Sequence, residues 1–278
     1  MLIPIYTTQC VKAAFHLRYT WTGWPTAGTS FPPEPGRELF TQLDHAWQTD
    51  DLRRIAMTWG PDRIQLTFST TPQVSPTLFA GRVKGRLQHA LRSAGATVKF
   101  SRKVGFRAIG ENHTAEVESY IANQVEKEEF VDSRFAGFLE RFTTADEQVD
   151  LSEPFASNSG RYWYNLHVVL VAAARHRTTA EEQFIKLDSS IAATAVKHGY
   201  TMSIRSLMPD HVHIALRGNI EESPEEIALA LMNNTAFAMG QNAIWQNGYY
   251  VGSFGEYDVN AVRKQDSSSL PDKPARGR

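Results

Sequence analysis

Two histidines separated by a single residue are the first side chains in this sequence that could do chemistry. His211 and His213 lie in an apolar segment, 211–216, that is predicted to be a β-strand. Side chains alternate between the two faces of a strand, so both imidazoles are expected on one face and Val212 on the other. Neutral imidazole is a common ligand of divalent metals, and the pair therefore predicts two ligands of a metal ion. The alternative is a pair of partly buried structural histidines.

A tyrosine and a glutamine four residues apart form a second candidate pair. Tyr120 and Gln124 lie in a segment, 114–127, that is predicted to be helical. A spacing of four residues places both side chains on one helix face, so a single helix can present them together. The alternative is that Tyr120 is an ordinary residue of an amphipathic helix.

The elements that must position these side chains occur twice, in the same order. Pro61–Leu66 is echoed by Pro209–Ile214, and Ser75-Pro76 by Ser223-Pro224, both at an offset of 148 residues. The first half predicts strands near 15–21, 52–59, 62–68 and 104–110 and helices near 37–48, 76–94 and 114–127. The second half predicts strands at 163–171, 200–207, 211–216 and 249–254, with helices at 179–198, 224–239 and from about Tyr257.

This order predicts an α+β fold of two tandem ferredoxin-like units, each an antiparallel sheet with helices on one face, forming an intramolecular pseudo-dimer. The expected boundaries are a first unit at 1–128, an acidic and polar linker at 129–160, a second unit at 161–265 and a polar tail at 266–278. One amphipathic helix is expected within the linker, at 134–142.

Composition sets the class of protein. The 278 residues carry a net charge of -1 and 42% hydrophobic residues, which excludes a disordered chain. The single cysteine, Cys10, excludes a disulfide framework and a cysteine-based zinc site. No apolar run is long enough to span a bilayer, and the N-terminal residues do not resemble a secretory signal. We therefore expect a cytoplasmic, nucleoid-associated protein without a membrane partner.

The charge is unevenly distributed along the chain. Between Asp62 and Glu111 there is no acidic residue, whereas the same stretch holds nine basic ones. Basic clusters bind polyanions, and the stretch predicts a DNA-binding surface; a helix face that is basic without a partner is the alternative. The DNA-binding candidates are Arg82, Lys84, Arg86, Arg102 and Lys103. Aromatic residues suited either to stacking on bases or to packing in strands are Phe106, Trp245, Tyr249 and Tyr250.

The segment Met208–Leu216 resembles the His-hydrophobic-His metal motif of the HUH superfamily. More closely, the chain resembles the small single-tyrosine transposases of the insertion-sequence 200/605 group and their REP-associated relatives, most strongly over 163–254. The resemblance implies that a tyrosine attacks a phosphate of single-stranded DNA, leaving a 5′-phosphotyrosine and a free 3′-hydroxyl. It also implies a divalent cation, Mg²⁺ or Mn²⁺, held by two histidines and a glutamine.

Each half departs from the family pattern in a different place. In the second half, aligning Gln265 with the family glutamine places Ala261 at the tyrosine position, and Tyr257 lies about one helical turn early. In the first half, Glu116–Gln124 matches the tyrosine helix, but Arg63-Ile64-Gln65 stands where the histidines should be. Family members are dimers in which the tyrosine helix of one subunit can dock against the other's histidines. The resemblance therefore implies one composite site, with Tyr120 as nucleophile and with His211, His213 and Gln124 as metal ligands.

The function expected from these observations is a metal-dependent endonuclease and strand transferase acting on single-stranded or hairpin DNA. As a pseudo-dimer within one chain, it is compatible with a monomer. One alternative is a catalytically inactive, domesticated protein that binds DNA hairpins or single strands. A second alternative is a metal phosphoesterase that uses water. Asp210 suits either the turn before His211 or a hydrogen bond that orients one of the histidines.

Overall fold

The computed structural model describes residues 3–130, 132–240 and 243–256. Over these ranges the chain forms the expected α+β fold, with two six-stranded sheets. The strands are β1 Lys12–His16, β2 Arg18–Pro25, β3 Leu52–Trp59, β4 Ile64–Thr70, β5 Phe100–Ile109, β6 Thr143–Ala145, β7 Phe155–Ser157, β8 Gly160–Trp163, β9 Asn165–Ala172, β10 Thr201–Leu207, β11 His211–Arg217 and β12 Trp245–Ser253. The helices are α1 Arg37–Gln48, α2 Pro76–Ser93, α3 Thr114–Ala122, α4 Ser133–Glu140, α5 Glu181–His198 and α6 Pro224–Met239.

Two helices begin at the Ser-Pro pairs, as the sequence predicts. The Ser75 hydroxyl accepts a hydrogen bond from the Leu78 amide at 3.3 Å, and the Ser223 hydroxyl accepts one from the Glu226 amide at 3.2 Å. Each serine thereby satisfies one of the amides that a helix N-terminus leaves unpaired, and the following proline suits the first helical turn. Local signals alone thus determine where α2 and α6 start.

Each sheet buries one face under a pair of helices. The first sheet has the order β3-β4-β2-β5-β8-β7 and packs against α1 and α2. At its centre the Phe79 ring of α2 lies 5.6 Å from the ring of Tyr19 and 5.5 Å from the ring of Phe106. The second sheet has the order β1-β12-β9-β11-β10-β6 and packs against α5 and α6.

The central strands of the two sheets match in order and in register. The order β5-β2-β4-β3 in the first sheet corresponds to β12-β9-β11-β10 in the second. The pairing of β3 with β4 shifts between Arg54 and Ala56, and the pairing of β10 with β11 shifts between Met202 and Ile204, at matched positions. The α+β class is confirmed. That the two halves arose by duplication stays a prediction, which this match supports.

The halves also exchange strands, which the sequence does not predict. β1 pairs in parallel with β12, and β8 pairs in parallel with β5, so each sheet carries one strand from the other half. Only Leu17 separates β1 from β2, and only Tyr164 separates β8 from β9. Both residues are buried. Each sheet is therefore mixed, with one parallel pair, rather than wholly antiparallel.

The segment predicted to be a linker, 129–160, is largely structured. It contains α4, close to the helix expected at 134–142, and β6 pairs with β10 as an edge strand of the second sheet. The helix expected from Tyr257 and the tail at 266–278 lie outside the described residues. Among the helices that the structure describes, none combines the length and hydropathy needed to cross a bilayer.

α3 is the element that brings the two halves together at the candidate site. It follows β5 in the first sheet but packs on the second sheet, against β10 and β11. Its buried residues Val117 and Ile121 form a small separate core with Ile204, Ala215 and Phe254. This core lies on the sheet face opposite α5 and α6, the face that carries the histidines of β11.

Candidate active site

The docking of α3 places Tyr120 beside the histidines of the second half. The Tyr120 ring centroid lies 5.6 Å from that of His213 and 6.0 Å from that of His167, with edge-to-face geometry in both cases. Tyr120 is 46% exposed, so the residue is accessible from solvent. A side chain from residue 120 and side chains from residues beyond 160 therefore line one surface.

His211 and His213 project from the same face of β11, as their spacing predicts. Their ring centroids are 5.0 Å apart. His211 Nδ1 lies 2.7 Å from a carboxylate oxygen of Asp210, and the Arg175 guanidinium contacts the same carboxylate at 3.2 Å. Burial alone would raise the pKa of Asp210, but the hydrogen bond from His211 and the charge of Arg175 hold it below its ordinary value. Asp210 thus occupies the turn and also orients His211.

A third histidine, which the sequence analysis does not identify, completes the cluster. His167 lies on β9, and its Nε2 is 3.0 Å from His213 Nδ1, with one nitrogen donating and the other accepting. The two rings are stacked, with centroids 5.2 Å apart. Desolvation lowers the pKa of His167 to about 4 and, together with repulsion from the neighbouring histidines and Lys127, lowers the pKa of His213 to about 3. Both imidazoles are therefore neutral at physiological pH.

Gln124 and Lys127 extend from the C-terminal end of α3 and contact Tyr120. Gln124 is buried, and its side-chain amide donates a hydrogen bond to the Tyr120 carbonyl at 2.7 Å. The Lys127 ammonium lies 3.5 Å from the Tyr120 ring centroid and donates to the same carbonyl at 3.2 Å. A cation in this position is attracted by the electron-rich ring face.

The two histidines of β11 each have a ring nitrogen that can bind a divalent cation. Asp210 engages Nδ1 of His211, and His167 engages Nδ1 of His213, so Nε2 is the nitrogen that each ring can offer to a metal. The side-chain amide nitrogen of Gln124 donates to the Tyr120 carbonyl, which leaves the amide oxygen available as a metal ligand. Among the described residues no group of three or more His, Cys, Asp or Glu side chains is arranged around one metal position. Gln124 as a third ligand stays a prediction.

The five predicted DNA-binding cations do not form one surface. Arg82 and Arg86 both pair with Asp50, at 3.4 and 2.9 Å, and the Lys84 ammonium donates to the Ser101 carbonyl at 2.6 Å. These three side chains stabilise the packing around α2. Lys103 lines a cleft on the first sheet, which Arg102 does not. The DNA-binding role of this set stays a prediction, and the structure favours Lys103 within it.

The aromatic candidates also divide. Phe106, Trp245 and Tyr249 are buried and belong to the main hydrophobic core, as the packing alternative predicts. Tyr250 is 38% exposed, and its ring centroid lies 5.9 Å from that of His167. It is therefore the member of this group that remains accessible beside the candidate site.

Two residues of the site could have been recognised from the sequence by weaker signals. His167 is the one titratable imidazole within the apolar run 163–171, and period-two alternation places it on the same strand face as Val169, which pairs with His213. Lys127 lies seven residues after Tyr120, which in the helix predicted at 114–127 is two turns along the same face, although α3 itself ends at Ala122. Neither signal is specific without knowledge that α3 crosses to the second sheet.

Comparison with known proteins gives a match to one protein family. Residues 161–264 match the family model described as "Transposase IS200 like". A search of curated proteins finds no match. Among solved structures, a protein assigned as a transposase from Deinococcus radiodurans R1 is similar at 18% identity, with 37% of this chain and 85% of that chain covered and a TM-score of 0.31. A REP-associated tyrosine transposase solved with a REP hairpin is similar at 13% identity, with 36% and 61% covered and a TM-score of 0.30.

Proposed function

We propose that the chain cleaves and rejoins single-stranded DNA at one composite site, because residues 161–264 match the family model of IS200-like transposases. Tyr120 is the nucleophile, and His211, His213 and Gln124 are the ligands of a divalent cation, Mg²⁺ or Mn²⁺. The substrate is a DNA strand with an unpaired segment, and a DNA hairpin is the natural first probe. The family supports the transposase class, and the finer chemistry is our proposal.

The observation that carries the proposal is the contact between Tyr120 and His213. Their rings are 5.6 Å apart although the residues belong to different halves of the chain. The second half has the histidine pair but no tyrosine at the family position. The first half has the tyrosine, but Arg63 and Gln65 stand where the histidine pair should be. Docking of α3 on the second sheet joins the two complementary sets, which supports their use as one site.

The reaction we propose exchanges one phosphodiester for another. The Tyr120 hydroxyl attacks the phosphorus, an oxygen–phosphorus bond forms, and the bond to the 3′-oxygen breaks. The phenol proton is released, the departing 3′-oxygen takes up a proton, and the 5′-phosphate remains on the tyrosine. Attack by a 3′-hydroxyl on this phosphotyrosine reverses the step and rejoins a strand. The bond count is unchanged in each direction, so no external energy source is required.

The surrounding side chains prepare this step. Lys127 lies against the Tyr120 ring, where its charge offsets the negative charge that develops on the phenol oxygen. Asp210 and His167 hold the His211 and His213 rings in place through their Nδ1 atoms. The low pKa of His213 keeps that imidazole unprotonated and able to bind a cation. When bound, the cation supplies Lewis-acid polarisation of the phosphate.

A single composite site has a consequence for the reaction. Excision and rejoining of an element need two strand cleavages, which a dimer with two sites can divide between them. One site per chain favours nicking and ligation of one DNA end, unless two chains associate. The matched registers of the two sheets support a pseudo-dimer within one chain, with one site retained.

The test is covalent attachment to a labelled hairpin oligonucleotide, detected on a denaturing gel in the presence of Mg²⁺ or Mn²⁺. Tyr120→Phe and His211→Ala are expected to abolish the adduct. Tyr250→Phe and Tyr257→Phe are matched controls that remove other phenols and should retain it. An adduct that persists in Tyr120→Phe would refute the assignment of the nucleophile. Cleavage without any adduct would indicate a phosphoesterase that uses water, and hairpin binding without cleavage would indicate an inactive DNA-binding protein.

A further inference from the structure

The first sheet carries a cleft, separate from the candidate active site, on the face opposite α1 and α2. Its volume is about 630 Å³. Clefts of about 300–1,000 Å³ accommodate ligands of nucleotide size or larger. It is formed by β2, β4, β5 and the exchanged strand β8, so its wall depends on the strand that crosses from the second half.

The cleft is strongly cationic. Arg63, Lys103, Arg107 and Arg161 line it, and no Asp or Glu is found among the described residues that do so. Cationic side chains around one concave surface raise the local concentration of anions and favour their binding. The composition of this wall therefore indicates a polyanion, and three of the four cations come from the acid-free stretch of the first half.

Two indole rings lie among the cations. Trp24 is 38% exposed at the cleft surface. Trp163 is held by a hydrogen bond from its indole nitrogen to the Ser152 carbonyl at 2.6 Å, and the Arg107 guanidinium stacks over it at 4.4 Å from the ring centroid. An exposed aromatic face beside cationic side chains, as at Trp24, suits a single-stranded nucleic acid, because an unpaired base can stack on the ring.

The cleft occupies the position that corresponds to the histidine site in the second sheet. Gln65 lies opposite Thr22 in the pairing of β4 with β2, and His213 lies opposite Val169 in the pairing of β11 with β9. By this register Arg63 and Gln65 stand where His211 and His213 stand. A guanidinium carries a fixed positive charge and binds a phosphate directly through paired N–H groups, whereas the lone pairs of neutral imidazoles suit a metal ion.

We propose that this cleft is a metal-independent binding site for an unpaired segment of the DNA strand, with phosphates on Arg63, Lys103, Arg107 and Arg161 and a base stacked on Trp24. The proposal rests on the function proposed above and locates a second part of the substrate. A duplex is disfavoured, because its bases are already stacked and cannot reach an indole in a cleft. The strand that carries Trp163, β8, continues through Tyr164 into β9, which carries His167. Two consecutive strands therefore connect the cleft with the candidate active site.

The test is equilibrium binding of a fluorescent single-stranded oligonucleotide to the full chain in the Tyr120→Phe background, with EDTA present. Trp24→Ala and the exposed pair Lys103→Ala/Arg161→Ala are each expected to weaken binding about tenfold, and Arg63→Ala to do the same. Each lost phosphate contact should also reduce the slope of log affinity against log salt concentration by about 0.7. Arg92→Ala removes an exposed charge on α2 outside the cleft and is the matched control. It should change the affinity and the salt slope only by the small amount that the loss of any distant surface charge causes.

The outcomes separate this proposal from the previous one. If the cleft variants bind like Arg92→Ala while the covalent adduct depends on Tyr120, the cleft proposal is wrong and the composite site stands. If the cleft variants weaken binding while Tyr120→Phe still forms an adduct, the nucleophile assignment is wrong and the cleft stands. Inorganic phosphate that occupies the cleft without competing with the oligonucleotide would overturn the cleft proposal, as would equal affinity for a duplex of the same sequence. Melting curves of each variant confirm that it is folded.

Discussion

Acidification should destabilise the folded chain through the His167–His213 pair. The folded pKa values are about 4 for His167 and about 3 for His213, whereas an unfolded histidine titrates near 6.5. Between these values the unfolded chain binds protons that the folded chain does not, so the free energy of unfolding falls as the pH falls below about 6.5. At about pH 5 the difference of about 1.5 pKa units costs about 2 kcal/mol for each residue, at about 1.4 kcal/mol per unit. Against a typical total of about 5–15 kcal/mol, this loss is large.

Urea denaturation with EDTA present, at about pH 7 and about pH 5, measures this loss. In His167→Gln the amide can still hydrogen-bond His213, but one titrating group is gone, so the variant should lose about 2 kcal/mol less than the wild type on acidification. His45→Gln, at an exposed position of α1, removes a histidine without a buried partner and should follow the wild type. Equal pH dependence in the wild type and His167→Gln would show that His167 has the same pKa in the folded and unfolded chains, and would refute this account.

Three further substitutions test other parts of the structure. Lys127→Met should slow adduct formation about tenfold, because the charge beside Tyr120 is lost. Lys186→Met on α5 is the control and should leave the rate unchanged. Equal rates of adduct formation in the two variants would exclude a role for Lys127 in the reaction. Asp210→Asn should weaken Mn²⁺ binding, measured by calorimetry, by about 10–100-fold, and unchanged affinity would show that Asp210 serves the turn alone. Gly160→Ala should lower the free energy of unfolding by about 1–3 kcal/mol, because its Cβ would lie 2.0 Å from the Val104 carbonyl oxygen. At Gly137 the added Cβ has open space, so Gly137→Ala should not destabilise the chain. Similar melting temperatures of the two variants would argue against the pairing of β5 with β8.

The elements of the fold could be predicted from the sequence because their signals are local. Ser75-Pro76 and Ser223-Pro224 mark helix starts through hydrogen bonds made within one turn, and the helices begin there. The strand that carries His211 and His213 follows from its apolar content, and alternation alone places both imidazoles on one face. The α+β class and the order of elements follow from the same signals.

The features that could not be predicted depend on contacts between residues distant in the sequence. β1 pairs with β12 more than 200 residues away, and β8 pairs with β5 more than 50 residues away. No local pattern specifies either pairing. Arg82 and Arg86 have the composition of a DNA-binding face, but Asp50, more than 30 residues earlier, neutralises them. His167 acquires its role only because β9 lies beside β11. Basic composition predicts DNA binding in this half of the chain. Of the five predicted cations Lys103 lines the cleft of the first sheet, and the DNA-binding role of the set stays a prediction.

The docking of α3 across the chain changes how the candidate site depends on protein concentration. In an assembly of separate subunits, dilution separates a nucleophile contributed by one copy from ligands contributed by another. Here both sets belong to one polypeptide, and their encounter is governed by the effective concentration that the covalent connection imposes. In the proposed composite site the two sets therefore stay together at any dilution at which the chain remains folded, and reaction velocity should scale with the first power of protein concentration.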